Sequence, residues 1–287
     1  MCSSDLRSVL RETLAHAARS NRFTAPLLRR VRSVQLIREG PGSEYFWLVK
    51  LAVPGTRALD VGANVGQTSS VLAKRIGVDG EVLALEPNPR CFRELRLGSR
   101  TPMISLQVAA GSTFGKAIIS VPIGPQGERQ EQLGTLLDRG PVSGKEYETF
   151  TVEVIPLDSL LAWTQLPTSI IKIDVEGYEL QVIEGAIETL TRFRPSLVVE
   201  IEEQHQPTGQ SIDDVFARIA NLGYMLFAIG STGPFPISQF DPHKHQRAHL
   251  AEPTRHRYVN NFIAIHQNDR VRQVQVSEFA INSQAMN

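Results

Sequence analysis

The sequence predicts an α/β fold in which a parallel sheet carries helices on both faces. Strand-like and helix-like stretches alternate from residue 57 onward, which is typical of parallel strands joined by crossover helices. A buried strand at 57–61 ends in a glycine-containing turn at 62–66, and a second strand at 81–85 is followed directly by Glu86. A glycine turn followed about twenty residues later by an acid is typical of nucleoside-binding βαβ units. The same residues therefore predict both the sheet and a nucleoside ligand.

Apolar runs predict the strands, and 3.6-residue periodicity predicts the helices. The predicted strands are 57–61, 81–85, 104–109, 169–173, 197–201, 224–229 and 259–265. The predicted helices are 67–76, 89–97, 177–192 and 211–222. The last two strands are joined by a long loop, 230–257, without a convincing helix, so we expect an antiparallel hairpin at one sheet edge. A seven-stranded, mostly parallel sheet with an antiparallel edge strand resembles the Rossmann-like layout of class I S-adenosylmethionine-dependent methyltransferases.

Three parts of the chain are expected. Residues 1–50 are rich in arginine and have helical periodicity, and they are predicted to be an N-terminal helical extension. Residues 51–267 form the predicted methyltransferase domain, and 268–287 are a C-terminal tail. Within the domain, 112–150 is longer than a crossover helix requires, so we expect an added hairpin with a mobile flap at 124–146.

Composition and charge exclude several classes of protein. The 30 basic residues balance the 30 acidic ones, so no net charge attracts nucleic acid or a membrane surface. The two cysteines, Cys2 and Cys91, imply no disulfide framework. No apolar run is long enough to span a bilayer, and no signal peptide is recognised, so we expect no integral membrane segment and a cytoplasmic enzyme. A homo-oligomer is left open.

The turn after the first strand distinguishes between nucleoside cofactors. The dinucleotide fingerprint is Gly-x-Gly-x-x-Gly, but here Asn64 replaces the middle glycine and Gly66 comes one position early. Asp60, before the first glycine, has no part in the nicotinamide pattern. The turn therefore favours S-adenosylmethionine, and a nicotinamide-dependent enzyme is the alternative.

Acids and a histidine follow the fourth and fifth predicted strands, where ligands bind in open α/β sheets. Asp174 and Glu176 follow the fourth strand, and Glu202 and His205 follow the fifth. These four residues are the candidate catalytic groups, because a hydroxyl acceptor must lose its proton as it attacks a methyl group. An imidazole suits that proton transfer near neutral pH. In the alternative interpretation, Glu176 only stabilises the start of the next helix.

A metal-assisted reaction is the weaker alternative, and no metal is predicted. Asp174, Glu200, Glu202 and His205 offer oxygen and nitrogen ligands for Mg²⁺, but no local spacing requires one. The acid and histidines of 230–257 are interpreted as part of a wet substrate loop rather than a metal site. They are Asp241, His243, His245, His249 and His256.

Three motifs resemble the FkbM family of S-adenosylmethionine-dependent methyltransferases. They are Asp-Val-Gly-Ala-Asn-Val-Gly-Gln at 60–67, Glu-Pro-Asn at 86–88 and Lys-Ile-Asp-Val-Glu-Gly-Tyr-Glu at 172–179. The resemblance covers about residues 55–265. It implies O-methylation of a hydroxyl on a sugar, glycan or natural-product acceptor.

The resemblance also implies which residues bind the cofactor. Asp60, Gly62, Asn64 and Gly66 would line its methionine end, and Asp174 would lie beside the sulfonium. Glu86 would hold the ribose with Asn88 close by, while Ala109 and Ala110 would flank the adenine. No acid is present there for the adenine amine, so backbone groups or water must serve.

Two further alternatives are weaker than methylation of a small molecule or glycan. One is a cofactor-binding protein without catalysis. The other is an RNA ribose methyltransferase, suggested by Lys172 and Asp174 on one strand face. We expect no nucleic-acid partner, because the chain lacks a basic stripe with interleaved aromatic residues. Lys172 is expected within the sheet edge or paired with a neighbouring acid.

Overall fold

The computed structural model describes residues 36, 39–124, 146–163, 166–249 and 258–284. The predicted helix near the N-terminus, the interior of the predicted flap and His256 lie outside these residues.

The described residues form two sheets and the helices around them. The strands are β1 (Arg57–Val61), β2 (Glu81–Leu85), β3 (Met103–Leu106), β4 (Ala109–Ala110), β5 (Gly115–Ile123), β6 (Glu146–Ile155), β7 (Thr168–Ile173), β8 (Ser196–Glu200), β9 (Tyr224–Gly230), β10 (Gly233–Pro236) and β11 (Asn261–His266). The α-helices are α1 (Glu44–Leu51), α2 (Gln67–Ile76), α3 (Pro89–Gly98), α4 (Glu179–Glu184), α5 (Ile187–Phe193), α6 (Ile212–Asn221), α7 (Pro242–His245) and α8 (Arg270–Gln284). Short 3₁₀ helices lie at Leu157–Trp163, Glu203–His205, Ile237–Gln239 and Arg247–His249. Within the described ranges, no helix is both long and apolar enough to cross a bilayer.

The main sheet confirms the predicted fold class. Its strand order is β10-β9-β11-β8-β7-β1-β2-β3. β3, β2, β1, β7 and β8 are mutually parallel, whereas β11 runs antiparallel to both β8 and β9. This is the class I methyltransferase arrangement, and the carboxyl ends of its parallel strands form one edge on which a ligand can bind.

The sheet has eight strands in place of the expected seven, because the 230–257 segment contributes β10. β10 pairs antiparallel with β9 through a tight turn that ends at Gly233. Its sequence is Gly-Pro-Phe-Pro, and prolines argue against a strand in the centre of a sheet. They are tolerated here because β10 is the outermost strand and one of its sides carries no ladder.

The segment between the third and fourth predicted strands forms the expected hairpin. β5 and β6 pair antiparallel from Gly115 with Val154 to Ile123 with Glu146, and β4 joins β6 to complete a small second sheet. The predicted third strand at 104–109 therefore ends early, since β3 stops at Leu106 and the chain then crosses to the second sheet.

The sequence predicts one continuous helix at 177–192, and this prediction is wrong. The segment divides into α4 and α5 around Gly185. A Cβ at Gly185 would lie 2.0 Å from the carbonyl oxygen of Gly111. The helix thus breaks where it packs directly on the backbone beside β4, a contact that helical periodicity does not reveal.

Helices at both ends of the described chain pack together against the sheet. The predicted boundary at residue 50 falls inside α1, which buries Trp47, Leu48 and Leu51. From the predicted C-terminal tail, α8 places Phe279 against Trp47 with ring centroids 5.3 Å apart in an edge-to-face contact. The domain boundaries themselves stay a prediction.

A lysine is buried at the centre of the main sheet. Lys172 on β7 is 1% exposed, and its Nζ lies 2.6 Å from Oε2 of Glu44 on α1 and 3.7 Å from Oε2 of Glu200 on β8. It also donates a 2.9 Å hydrogen bond to Oδ1 of Asn261 on β11. Burial alone lowers the pKa of Lys172, but Glu44, Asp174 and Glu200 outweigh it and raise the pKa, so the ammonium stays charged.

We predict that Lys172→Met destabilises the protein by about 3–5 kcal/mol, because Glu44 and Glu200 lose the charge that compensates their burial. Lys116→Met is the matched control, since the Lys116–Glu153 pair is exposed on the hairpin and should contribute about 1 kcal/mol or less. Urea unfolding measures both. Equal losses in the two variants would show that Lys172 has no special role.

Candidate active site

A cavity of about 420 Å³ opens at the carboxyl ends of β1, β2, β7 and β8. Its volume lies within the range of small-molecule and cofactor sites. The wall includes nine of the residues predicted from the sequence: Gly62, Asn64, Glu86, Ala109, Ala110, Asp174, Glu176, Glu202 and His205. The cavity therefore brings together six of the nine proposed cofactor residues and all four candidate catalytic residues.

The turn after β1 lets the backbone of two strands meet under the cavity. Gly62 has φ of 82°, and a Cβ there would lie 1.7 Å from the carbonyl oxygen of Asp174. Asn64 also has a positive φ, 48°, which asparagine tolerates better than most residues. Only glycine fits at position 62, since both the conformation and the close approach exclude a side chain.

Glu86 is held by the backbone on both sides of its carboxylate. Oε2 accepts from the Asn64 N–H at 2.7 Å, and Oε1 accepts from the Asn88 N–H at 2.8 Å. Each carboxylate oxygen can accept more than one hydrogen bond. The fixed carboxylate on the cavity wall is thus suited to accept from the vicinal hydroxyls of a ribose.

Asp60, Gly66 and Asn88 lie behind the cavity wall. Asp60 is buried and accepts a hydrogen bond from the Ser69 hydroxyl, and burial raises its pKa to about 6 despite that bond. Gly66 is the N-cap residue directly before α2 and has φ of 88°. Asn88 caps α3 by accepting from the Arg90 N–H at 3.0 Å. These residues support the wall, and their direct contact with a cofactor stays a prediction.

His205 and Glu176 form a close pair on the opposite side of the cavity. His205 Nδ1 lies 2.6 Å from Oε2 of Glu176 and 3.6 Å from Oε2 of Glu202. Glu176 has φ of 54°, and Gly177 follows with φ of 102°. The turn after β7 thus aims the Glu176 carboxylate across at the 3₁₀ helix after β8, which carries His205.

Two acids on the cavity floor have raised pKa values. Burial and then the charge of Glu200 raise the pKa of Asp174 well above its ordinary value, although Lys172 opposes this. Burial raises the pKa of Glu200 to about 7, again against the effect of Lys172. Neighbouring buried acids resist simultaneous ionisation, and perturbed acids in a cleft are typical of functional sites.

The residues that hold Glu202 were not predicted from the sequence. Tyr258 donates to Oε2 of Glu202 at 2.9 Å, and Gln204 donates to the same oxygen at 2.6 Å. Asn260 donates to Oε1 of Glu200 at 2.7 Å and to Oε1 of Glu202 at 3.0 Å. An antiparallel strand begins at the edge where its parallel neighbours end, so residues just before β11 could have been sought at this edge.

Residues 230–249, the described part of the 230–257 segment, pack beside the site. Gln246 Nε2 donates to the carbonyls of Ile201 and Val259, while its Oε1 accepts from the Glu203 N–H. His245 stacks on Phe240 with centroids 5.4 Å apart. Among the described residues, no group of three or more His, Cys, Asp or Glu side chains is arranged to hold a metal ion.

Comparison with known proteins agrees with this geometry. A family model described as the Methyltransferase FkbM domain matches residues 60–226. Hexuronic acid methyltransferase AglP of Haloferax volcanii is 27% identical over 150 residues, which cover 52% of this chain and 56% of that protein. The chain thus aligns with little more than half the length of this relative.

Solved structures resemble the chain more distantly. Methyltransferase FkbM from Methylobacillus flagellatus KT gives a TM-score of 0.44 at 13% identity, covering 82% of this chain and 57% of that one. Precorrin-6y C5,15-methyltransferase from Geobacter metallireducens GS-15 gives 0.40 at 15% identity, covering 85% and 93%. The fold class rests on the strand order of the main sheet.

We predict that Gly62→Ala destabilises the protein by at least about 2 kcal/mol more than Gly77→Ala. Gly77 has a similar φ of 78°, but nothing lies within 4 Å of the position that a Cβ would take there. It therefore reports the cost of a positive-φ backbone alone, on the order of 1–3 kcal/mol. Thermal and urea unfolding measure the difference. Equal losses of stability in the two variants would mean that the backbone of Asp174 can move away from a side chain at position 62 without a free-energy cost.

We predict that Glu200→Gln gains stability relative to wild type as pH rises from 5 to 8. The folded pKa of about 7 lies above the ordinary glutamate pKa of 4.5, so the stabilising proton is present at low pH and is lost as pH rises through 7. The amide keeps the neutral form, and the relative gain should be on the order of 2 kcal/mol.

Urea unfolding at both pH values measures this gain, with Asp213→Asn on the exposed face of α6 as the control. A stability difference that stays constant or shrinks with rising pH would contradict the burial of Glu200.

Proposed function

This chain belongs to the FkbM methyltransferase family, and on that premise we propose that it transfers the methyl group of S-adenosylmethionine to a hydroxyl group. The acceptor we propose is a sugar, a glycan or a related natural product. The observation that carries the proposal is the His205–Glu176 pair, which faces the same cavity as the fixed carboxylate of Glu86. The name of the relative AglP is consistent with a sugar acceptor.

The described residues fit S-adenosylmethionine. Gly62 lets the turn after β1 pack directly on the backbone of Asp174, and Glu86 is oriented to accept from ribose hydroxyls. Ala109 and Ala110 give the cavity wall an apolar part against which the adenine ring would lie. When bound, the cofactor supplies a methyl group that a positively charged sulfur has already activated. Asp174 and Glu176 place carboxyl oxygens on the wall of the same cavity, where they can stabilise that positive charge.

His205 is the proposed general base. Its contact with Glu176 is satisfied when Nδ1 carries the proton, and this leaves Nε2 as the acceptor for the proton of the attacking hydroxyl. Glu176 then orients the ring and stabilises the imidazolium that forms, as a carboxylate does behind other catalytic histidines. His205 is partly exposed, so the proton can afterwards leave to solvent.

Glu202 is the proposed contact for further hydroxyls of the acceptor. Tyr258, Gln204 and Asn260 already donate to it and fix its two oxygens. Burial and the neighbouring Glu202 raise the pKa of Tyr258, so the phenol stays a hydrogen-bond donor. A carboxylate held this way selects a hydroxyl-bearing acceptor by geometry.

Family membership removes the basis for the nicotinamide-dependent alternative. The RNA ribose alternative loses its supporting feature, since the Lys172 ammonium contacts Glu44 and Asn261 in the protein interior. A cofactor-binding protein without catalysis is an outcome of the experiment below.

The test is transfer of a ¹³C-labelled methyl group from S-adenosylmethionine to glucuronate, glucose and glucosamine, followed by NMR. We expect a methyl ether signal on at least one sugar. His205→Gln should lower kcat by about 10²–10⁴-fold, because the reaction loses its base. Asp213→Asn, on the exposed face of α6, is the control and should keep wild-type kcat.

A methyl ester or methylamine signal would contradict O-methylation of a hydroxyl. Wild-type turnover by His205→Gln would remove His205 as the base.

A further inference from the structure

Glu179 is a buried carboxylate that does not line the cavity. It is the first residue of α4 and only 1% exposed. Its Oε1 accepts from the Gly177 N–H at 2.8 Å, and its Oε2 accepts from Nε2 of Gln206 at 3.1 Å. A buried carboxylate is costly unless such donors satisfy it, so the position calls for an explanation.

The two donors belong to the two segments that carry the proposed catalytic pair. Gly177 directly follows Glu176 in the turn after β7, and Gln206 directly follows His205 after β8. Gln206 also donates to the carbonyl of Glu202 at 3.2 Å and accepts from Gln210 at 2.8 Å. Glu179 thus connects both segments to α4 by hydrogen bonds.

The turn at Glu176 needs such a support. A non-glycine residue at positive φ costs on the order of 1–3 kcal/mol and persists only where its surroundings hold it. The bond from Gly177 N–H to Glu179 acts on the residue next to Glu176. Without it, the turn can relax and carry the Glu176 carboxylate away from His205.

We propose that Glu179 is a positioning residue for catalysis, which holds Glu176 and His205 in contact by binding the segments on which both lie. The expected effect of Glu179 on turnover rests on the proposed function. Glu179 acts through the His205–Glu176 contact. Its hydrogen bonds to Gly177 and Gln206 involve neither Glu86 nor the turn after β1.

A double-mutant cycle tests the proposal. In Glu179→Gln, the amide oxygen can still accept from Gly177 N–H. The amide NH₂ then faces the NH₂ group of Gln206, so the contact between positions 179 and 206 is lost. In Gln206→Glu, two carboxylates face each other. The double variant restores complementarity between positions 179 and 206, because the new amide accepts from Gly177 N–H and donates to the new carboxylate. The donation from position 206 to the Glu202 carbonyl stays lost. Glu188→Gln, an exposed glutamate in the first turn of α5, is the matched control.

We expect each single variant to lower kcat by about 10–100-fold while the KM for S-adenosylmethionine changes by less than about threefold. The double variant should recover at least about tenfold of the loss. Glu188→Gln should keep wild-type kcat and KM. Additive losses in the double variant, or a change confined to the KM for S-adenosylmethionine, would overturn the proposal.

The imidazole ¹⁵N signals of His205 supply a readout that does not depend on turnover, with the assignment made from His205→Gln. Glu179→Gln should shift them, the double variant should return them towards wild type, and Glu188→Gln should leave them unchanged. Unshifted signals in Glu179→Gln would overturn the positioning role even where methyl transfer is absent. Methyl transfer absent from wild type would contradict the proposed function alone.

If Glu179→Gln fails to fold, Gln206→Leu tests the same contact from the other side. It keeps the bond between Glu179 and Gly177 but releases the segment that carries His205. The same fall in kcat and the same ¹⁵N shift are expected, and their absence would overturn the proposal.

Discussion

The buried charge of Lys172 is the interaction on which the rest of the structure depends. Its ammonium contacts Glu44 and Glu200 and lies in the field of Asp174. Each of these carboxylates would be costly to bury alone. Asp174 and Glu200 can therefore both be buried beside the cavity, because the Lys172 ammonium on β7 compensates their negative charge. Glu44 and Asn261, which complete this arrangement, lie outside residues 60–226 that match the family model.

The two sides of the cavity are held in place by different interactions. On one side, backbone N–H groups and a glycine with no room for a side chain hold Glu86 and the turn after β1. On the other, side chains hold side chains, since Glu202 is fixed by Tyr258 and Asn260. A backbone-built half suits a cofactor that does not vary, and a side-chain-built half allows acceptors to differ.

Local sequence signals predicted much of the fold and the cavity wall, because they report burial and turn geometry. The strand at 57–61 and the helix at 67–76 have the predicted bounds. What failed depends on long-range contacts. The break at Gly185 follows from its packing on Gly111, the strand β10 contains prolines that only an edge permits, and Tyr258 approaches Glu202 through an antiparallel strand.

Calorimetric titration with S-adenosylmethionine and with NAD tests most directly the central claim, that this cavity is a methyltransferase cofactor site. We expect wild type to bind one S-adenosylmethionine and no NAD. Glu86→Gln should weaken that binding by about tenfold or more, because a charged acceptor is lost, while Glu94→Gln on the exposed face of α3 should not. Binding of NAD alone, or equal S-adenosylmethionine affinity in wild type and Glu86→Gln, would contradict the account.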